Sequence, residues 1–516
     1  RNRNSMSFGE TFNIGGVTPS EPPPSGDITP SLVVEYVDSS GVRQSTTVVD
    51  GVTSISGVAP FLVHFDASGS RSTASTADTE AEAFHYMGYR LNYGEALGTN
   101  WSYPAGSSHS RDEDTGPPIF GRVFTTTGTK TVQLRCKDSV GNEATISLSV
   151  VVSAPPTATN IAVGAGAWPT WANSTHYTLD RGSDYSGFGN IDLSDKHNIL
   201  ISATGSGADP IVGTFRPETS NYSSTVQRSR NIRLQNIDAN RFSYNGQGFD
   251  YVGIIGGRVR NIDPTAPSAY YFGELVTLGQ EANANSCKYA RGLFLWDCGE
   301  VSADINNDYV FIGVLRAYHA QNVTFKHTGT GAPTFEHNTR GIWDRTTWRN
   351  CLFYNDAHQK SWIKGNGLEV YGITNGDQPD TWRSDDRVGD YALGGVYGYP
   401  GHMSFFYNVQ FGVTSDAAPD QPAGFGPQNN DIDGTYEGLD LCGYENCVAF
   451  GSNPVCVLGD NFNFSGRNLF MRNVKYMTGG ADLPYSNGFN TNKMPPGWNG
   501  PYINENTNTR PVPTAF

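Results

Sequence analysis

Past residue 190, short segments of alternating apolar residues recur roughly every 20 to 25 residues wherever no insertion intervenes, which is the period of a stacked coil and not of a hairpin sandwich. They include Asn198-Ile-Leu-Ile-Ser202, Asn231-Ile-Arg-Leu-Gln-Asn-Ile237, Tyr251-Val-Gly-Ile-Ile255, Gly292-Leu-Phe-Leu-Trp296, Asn322-Val-Thr-Phe325, Trp348-Arg-Asn-Cys-Leu-Phe353 and Phe406-Tyr-Asn-Val-Gln-Phe411. No amphipathic helical stretch of useful length separates them, which disfavours a doubly wound α/β domain. Fragments of the form aromatic-x-Asn-Val/Cys-x-Phe suit a coil: alternate apolar side chains stack inside, while Asn at the turn tolerates a left-handed backbone and hydrogen-bonds to the next coil along a ladder. The pattern predicts an all-β chain in which residues 165–480 form a right-handed parallel β-helix, a solenoid.

The preceding part reads differently. Between residues 31 and 153, runs such as Ser31-Leu-Val-Val-Glu-Tyr-Val37, Phe61-Leu-Val-His-Phe65 and Thr145-Ile-Ser-Leu-Ser-Val-Val-Val152 are separated by turn residues, the signature of an antiparallel β-sandwich. Ala154-Pro-Pro156 marks a boundary, and 154–164 is expected to be a linker. Residues 1–30, with Gly15-Gly16 and Pro22-Pro23-Pro24, read as an extended arm, and 481–516, with Pro511-Val-Pro513, as an extended tail. Both ends are expected to join neighbouring subunits, which makes a homo-oligomer or larger assembly the expected state.

Two resemblances follow from particular residues. Gly57-Val-Ala-Pro60, Val63-His-Phe-Asp-Ala-Ser-Gly-Ser70, Tyr89-Arg-Leu-Asn-Tyr-Gly94, Phe124-Thr-Thr-Thr-Gly128 and Val132-Gln-Leu-Arg-Cys-Lys-Asp-Ser-Val-Gly-Asn142 resemble, in order, a polycystic-kidney-disease (PKD) type immunoglobulin-like module. The segment departs at the family's Trp-Asp-Phe-Gly-Asp-Gly signature, which here reads Leu91-Asn-Tyr-Gly-Glu95, and it carries an insertion from 96 to 118. This resemblance implies a non-catalytic spacer or adhesion unit of extracellular proteins. The segment from 165 to 480, including Asp195-Lys-His-Asn-Ile-Leu-Ile-Ser-Ala-Thr-Gly-Ser-Gly207, resembles the pectin-lyase-like β-helix superfamily in architecture and rhythm. Lyases, glycoside hydrolases, tailspikes and adhesins share that rhythm, so the fold does not select among them.

Composition narrows the partners. Lys plus Arg is 35 and Asp plus Glu is 50, so the net charge is 35 − 50 = −15, which argues against binding nucleic acid. No run approaches the ~18 consecutive apolar residues of a membrane span. The start RNRNSMSFGE has no apolar signal region and no initiating Met, which is compatible with a mature exported chain. An extracellular, cell-surface or virion-surface location is therefore expected. Seven Cys are too few for a disulfide scaffold. The close spacing of Cys442, Cys447 and Cys456 allows one local bridge, and small buried side chains in strands explain them equally well.

The densest collection of basic and imidazole groups lies between 327 and 403. A polysaccharide lyase needs a base beside a uronate carboxylate and a cation to stabilise the enolate. The candidates for such catalysis are His337, Arg340, Arg345, His358, Lys364 and His402. His337 and His358 lie about one coil apart, as do Arg345 and Lys364, so each pair is expected to stack on adjacent coils; solvated turn residues are the competing reading. The polygalacturonase-type carboxylate series is incomplete: Asp385-Asp386 precedes Gly401-His402, but Met403 follows.

Trp343, Trp348, Trp362, Trp382 and Tyr397 offer flat rings for the C–H faces of sugars, with core stacking as the alternative. A loop bearing Asn429, Asp431, Asp433, Glu437 and Asp440 with Gly434 matches the oxygen spacing of a Ca²⁺ loop, although no helices flank it; an Asx-rich turn is the alternative.

Two functions fit these residues. The favoured one is a non-catalytic surface protein whose β-helix binds a polysaccharide, a cell-surface glycan or neighbouring subunits. The other is a secreted polysaccharide lyase or glycoside hydrolase acting on an anionic polymer.

Overall fold

The computed structural model describes residues 28–73, 87–98, 110–138, 141–217, 229–244, 249–260, 276–278, 290–304, 309–328, 337–355 and 362–367. Beyond these it describes 373–374, 378–379, 395–400, 402–407, 409–413, 425–426, 442–445, 448–450, 469–472, 475–478, 481–483 and 503–504. The described residues are strands, turns and two short 3₁₀ turns. None forms a helix long and apolar enough to cross a membrane.

The N-terminal part is a β-sandwich. One sheet orders the strands Arg43–Thr47, Val33–Val37, Phe61–Asp66 and Ile119–Phe124. The other orders Ser54–Val58, Glu143–Ser153, Gly128–Asp138, Met87–Asn92 and Glu113–Gly116. Val34, Val63, Phe65, Tyr89, Leu91, Leu134 and Leu148 meet between the sheets. The strand Glu143–Ser153 alternates buried and exposed residues over most of its length, as a strand with one wet face should. Phe61–Asp66 and Ile119–Phe124 do not alternate and are buried on both faces. Something covers the outer face of their sheet, and that cover is the rest of the chain.

The rest is a parallel β-helix. Among the described residues one ladder of 27 strands runs from Ala158–Ile161 to Ile503–Asn504; its strands pair in parallel with strands one coil on, apart from Lys475–Thr478 and Ala481–Leu483, which pair antiparallel. From Phe249 on each coil has three faces, and in the coil before it the single strand Asp238–Tyr244 serves both the second and the third. The first stacks His176–Asp180, His197–Thr204, Ser229–Gln235, Phe249–Ile255, Ala290–Trp296, residues 316–321, residues 344–349 and His402–Tyr407. The second stacks Ile211–Arg216, Asp238–Tyr244, Arg258–Arg260, Glu300–Asp304, Thr324–Thr328 and Leu352–Asn355. The third stacks Val276–Leu278, residues 309–315, residues 337–343, Trp362–Gly367 and Gly395–Pro400.

Two columns of left-handed residues shape the coils. Asn198, Asn231, Tyr251, Gly292, Ala317 and Arg345, with φ of 56, 52, 63, 67, 58 and 51°, follow one another in successive coils where the third face passes into the first. Asn236, Gly256, Asp297, Asn322 and Asn350, with φ between 52 and 65°, turn the first face into the second. Each residue of this second column donates its backbone N–H to a carbonyl one coil on, at 2.8 to 3.1 Å, as in Asn236 to Ile255 and Asn322 to Arg349. Side chains add rungs: Asn231 Nδ2 donates to Asn198 Oδ1 at 2.8 Å, and Asn322 Nδ2 to Asp297 Oδ1 at 3.0 Å. The expected asparagine turn ladder is present, because Asn pays little to adopt φ > 0 and its amide bonds sideways to the next rung.

The limits of the parts differ from those read in the sequence. The coil's first strand, Ala158–Ile161, lies inside the expected linker, since it pairs in register with His176–Asp180. Ile503–Asn504, in the expected tail, pairs with Leu469–Arg472. Ile28–Thr29, in the expected arm, pairs with Arg71–Ser72.

Candidate functional site

The sandwich is docked along the first face of the coil and does not stand off it as a separate spacer. At the apolar centre of the interface, Val37, Leu62 and Val123 pack on Tyr251, Ile255, Phe294 and Trp296. Around this strip the coil extends polar side chains onto the sandwich backbone. Asn198 Nδ2 donates to the Ser39 carbonyl at 2.8 Å, and Arg230 Nη1 donates to Gly41 at 2.8 Å. Arg233 Nη1 reaches the Val58 and Pro60 carbonyls at 2.9 and 3.2 Å, and burial pulls its guanidinium down to about 10, still charged at neutral pH. Arg349 binds the carbonyls of Thr115, Pro117 and Ile119 at 2.6, 3.0 and 2.9 Å, and its guanidinium lies over the Phe120 ring. Gln321 Nε2 bonds both Asp114 oxygens at 3.1 Å. Arg111 pairs with Asp297, and Thr115 bonds the Tyr407 hydroxyl.

The candidate catalytic residues are divided between two faces. Arg345 sits at the left-handed corner of the first face and donates Nε to Asp66 of the sandwich at 2.8 Å. It does not stack on Lys364. The register partner of Lys364 is Arg340, on the third face, because the strand His337–Arg349 changes face after Trp343. His337 is in register with Tyr309, and His402 with Asp344 on the first face. His358 lies outside the described residues, so its expected stacking on His337 is not placed.

The aromatic candidates separate in the same way. Trp348 is fully buried in the coil, stacked on Phe406 with ring centroids 4.4 Å apart and planes 4° from parallel, and edge-on to Tyr318. It is core, and no sugar reaches it there. Trp343, Trp362 and Tyr397 lie on the third face, and each has a glycine as register partner in the following coil: Gly367, Gly395 and Gly426 respectively. Between them Gly313, Gly341 and Gly365 align in three consecutive strands, immediately beside the Arg340–Lys364 position.

Trp382 and the calcium-loop residues Asn429, Asp431, Asp433, Glu437 and Asp440 lie outside the described residues. Among the described residues no group of three or more His, Cys, Asp or Glu side chains is arranged to hold a metal ion. Cys136, Cys298 and Cys351 are free and buried, and burial pushes the thiols of Cys136 and Cys351 up to about 12. They behave as small apolar residues. Cys447 and Cys456 are outside the described residues.

Sequence reading missed the interface residues. His64, Asp66, Arg233, His319, Gln321 and Arg349 occupy outward positions of strands, where polar residues normally meet water. The one available signal is the run Phe61-Leu-Val-His-Phe65, in which His64 is the single polar residue and which has no wet face.

No protein-family model matches the chain, and no curated protein does. Among solved structures, the family 28 exopolygalacturonase of Yersinia enterocolitica is similar over 81% of this chain and 96% of its own, at 10% identity and a TM-score of 0.23.

Proposed function

We propose that this chain is a surface structural protein whose β-helix binds an anionic glycan along its third face, with the PKD-type sandwich as a fixed brace on the first. The observation that carries this reading is the third-face register. Arg340 and Lys364 occupy one position in adjacent coils, and Trp362 and Tyr397 share their parity in the strand alternation, whereas Trp343 and the aligned glycines fall on the other parity. Strands ~4.8 Å apart place two cations at a spacing that suits neighbouring groups along an extended polymer. Aromatic rings beside glycine supply platforms for sugar C–H faces. In a chain of net charge −15, such a cationic position selects acidic over neutral polymers. From Asn198 to Tyr407 the first face is covered by the sandwich.

Calcium in the 429–440 loop and assembly through the 1–30 arm and 481–516 tail belong to the same reading, as does an extracellular, cell-surface or virion-surface location. Titration with polygalacturonate, alginate and neutral dextran tests the central point. The acidic polymers bind, and the Arg340→Ala/Lys364→Ala double variant binds them at least about tenfold more weakly, since each charge-assisted bond is worth ~1.5–3 kcal/mol. Equal affinity of the double variant and the parent would remove the proposal. Appearance of unsaturated products or new reducing ends would replace it with the lyase or hydrolase reading.

A further inference from the structure

Where the sandwich meets the coil, two histidines 255 residues apart in sequence face each other: His64 Nδ1 and His319 Nε2 are 2.8 Å apart, and both residues are buried. The rings lie 5.1 Å apart, centroid to centroid, at 34°. His319 uses its other nitrogen on Thr347 Oγ1 at 2.9 Å and rests its ring on Phe294 at 5.0 Å. We propose that this contact is a proton-operated latch: it closes with a single hydrogen between the two imidazoles and opens when both rings are protonated, freeing the sandwich from the first face.

The chemistry follows from the donor count. One facing nitrogen donates N–H and the other accepts through its lone pair. When both imidazoles are cationic, both facing nitrogens are donors, the bond is lost and two like charges oppose each other in a buried site.

The surrounding charges are fixed. Asp66, on the same strand as His64, is bonded to Arg345 and also favours a cationic His64. Glu35, the cross-strand neighbour of His64, lies 3.9 Å from Arg43. Arg345 and Arg349 come from the coil strand beside His319. Arg122, next to Gly121, turns inward to Glu95. Phe294 and Phe405 bring no charge. The second proton, on His319, therefore meets a cationic His64 and the Arg349 guanidinium.

The linkage has a definite sign. Burial, then His64 and Arg349, hold the His319 imidazole well below its ordinary 6.5. The docked form binds fewer protons than the undocked form, so docking is favoured above 6.5 and weakens as the pH falls below it, by about tenfold per pH unit for each proton taken up. Opening bares Phe294, Trp296 and Ile255, the apolar strip that Leu62 and Val123 cover.

Amide hydrogen exchange of the full chain, corrected for intrinsic rate, tests the latch between about pH 7.5 and about pH 4.5. Exchange in Phe61–Asp66 and Ile119–Phe124 rises about tenfold per pH unit below 6.5 in the parent. His319→Gln and His319→Asn, which keep a hydrogen-bonding group and cannot titrate, lose that slope; either variant serves if the other fails to fold. A flat parent profile overturns the latch, and so does a slope that persists in a folded variant. An equal rise in the inner strand Gly128–Asp138 also overturns it, because that marks unfolding of the whole sandwich.

Discussion

Gly121 of the sandwich lies directly against the imidazole of His319 in the coil: a Cβ at this position would stand 2.2 Å from the ring's Cγ. The two parts therefore approach at a point that admits only hydrogen. Gly121→Ala forces the sheet off the coil and costs about 1–3 kcal/mol, read as a lower midpoint in denaturant unfolding. An unchanged midpoint would mean that the sandwich does not sit this close.

Arg349 gives one guanidinium to three backbone carbonyls, those of Thr115, Pro117 and Ile119. Arg349→Met leaves all three without this donor inside the interface and destabilises the protein by ~3 kcal/mol, about what a buried charged hydrogen-bonding group is worth. Arg349→Lys recovers only part, because an ammonium lacks the planar fork that spans separate carbonyls. Full rescue by Lys would show that charge alone matters here.

Asp66 is burdened by burial, which raises its pKa, yet the neighbouring Arg345 and His64, with hydrogen bonds from Ser68, bring the carboxyl below its ordinary 3.8. A carboxylate depressed in the folded state stabilises above its unfolded value and loses that contribution as acid protonates it. With the histidine latch disabled by His319→Gln, Asp66→Asn is therefore less stable than the protein with Asp66 at neutral pH, and the gap closes as pH falls below 3.8. Stability curves for the two proteins that stay parallel down to about pH 3 would contradict the Asp66–Arg345 link.

Ala317 occupies the left-handed column with φ of 58°, between Gly292 and Arg345. A left-handed Cβ costs ~1–2 kcal/mol, while the added chain entropy of glycine costs ~0.4–1 kcal/mol. Ala317→Gly is thus neutral to stabilising by up to about 1.5 kcal/mol, and Ala317→Val is destabilising. Thermal melting of the pair checks the order, and the reverse order would place Ala317 outside the corner column.

The coil was legible because its signal is local. Asn322-Val-Thr-Phe325 and Asn350-Cys-Leu-Phe353 each set a left-handed Asn before an inward alternation, and that short-range chemistry repeats. The division of residues among faces was not legible, since it depends on where a strand bends. Arg345 and Lys364 are about one coil apart by counting, yet the bend after Trp343 assigns them to different faces and makes Arg340 the partner of Lys364. Trp348 likewise reads as either a platform for sugar or a stacked core ring, and parity within its strand turns it inward onto Phe406. The interface was least visible, because polar outward positions such as His319 and Gln321 look solvated until a distant segment covers them.

Asp66 and Arg345 are 279 residues apart. At about 5–20 residues per second of translation, the sandwich emerges tens of seconds before the last of its seat has been made. During that interval Leu62 and Val123 face water, and the outer edge of a finished module stays adhesive toward anything nearby. Ribosome-bound nascent chains thus carry a transient sticky surface that the completed coil later hides, so synthesis from the N-terminus makes timely completion of the solenoid the safeguard against misassembly.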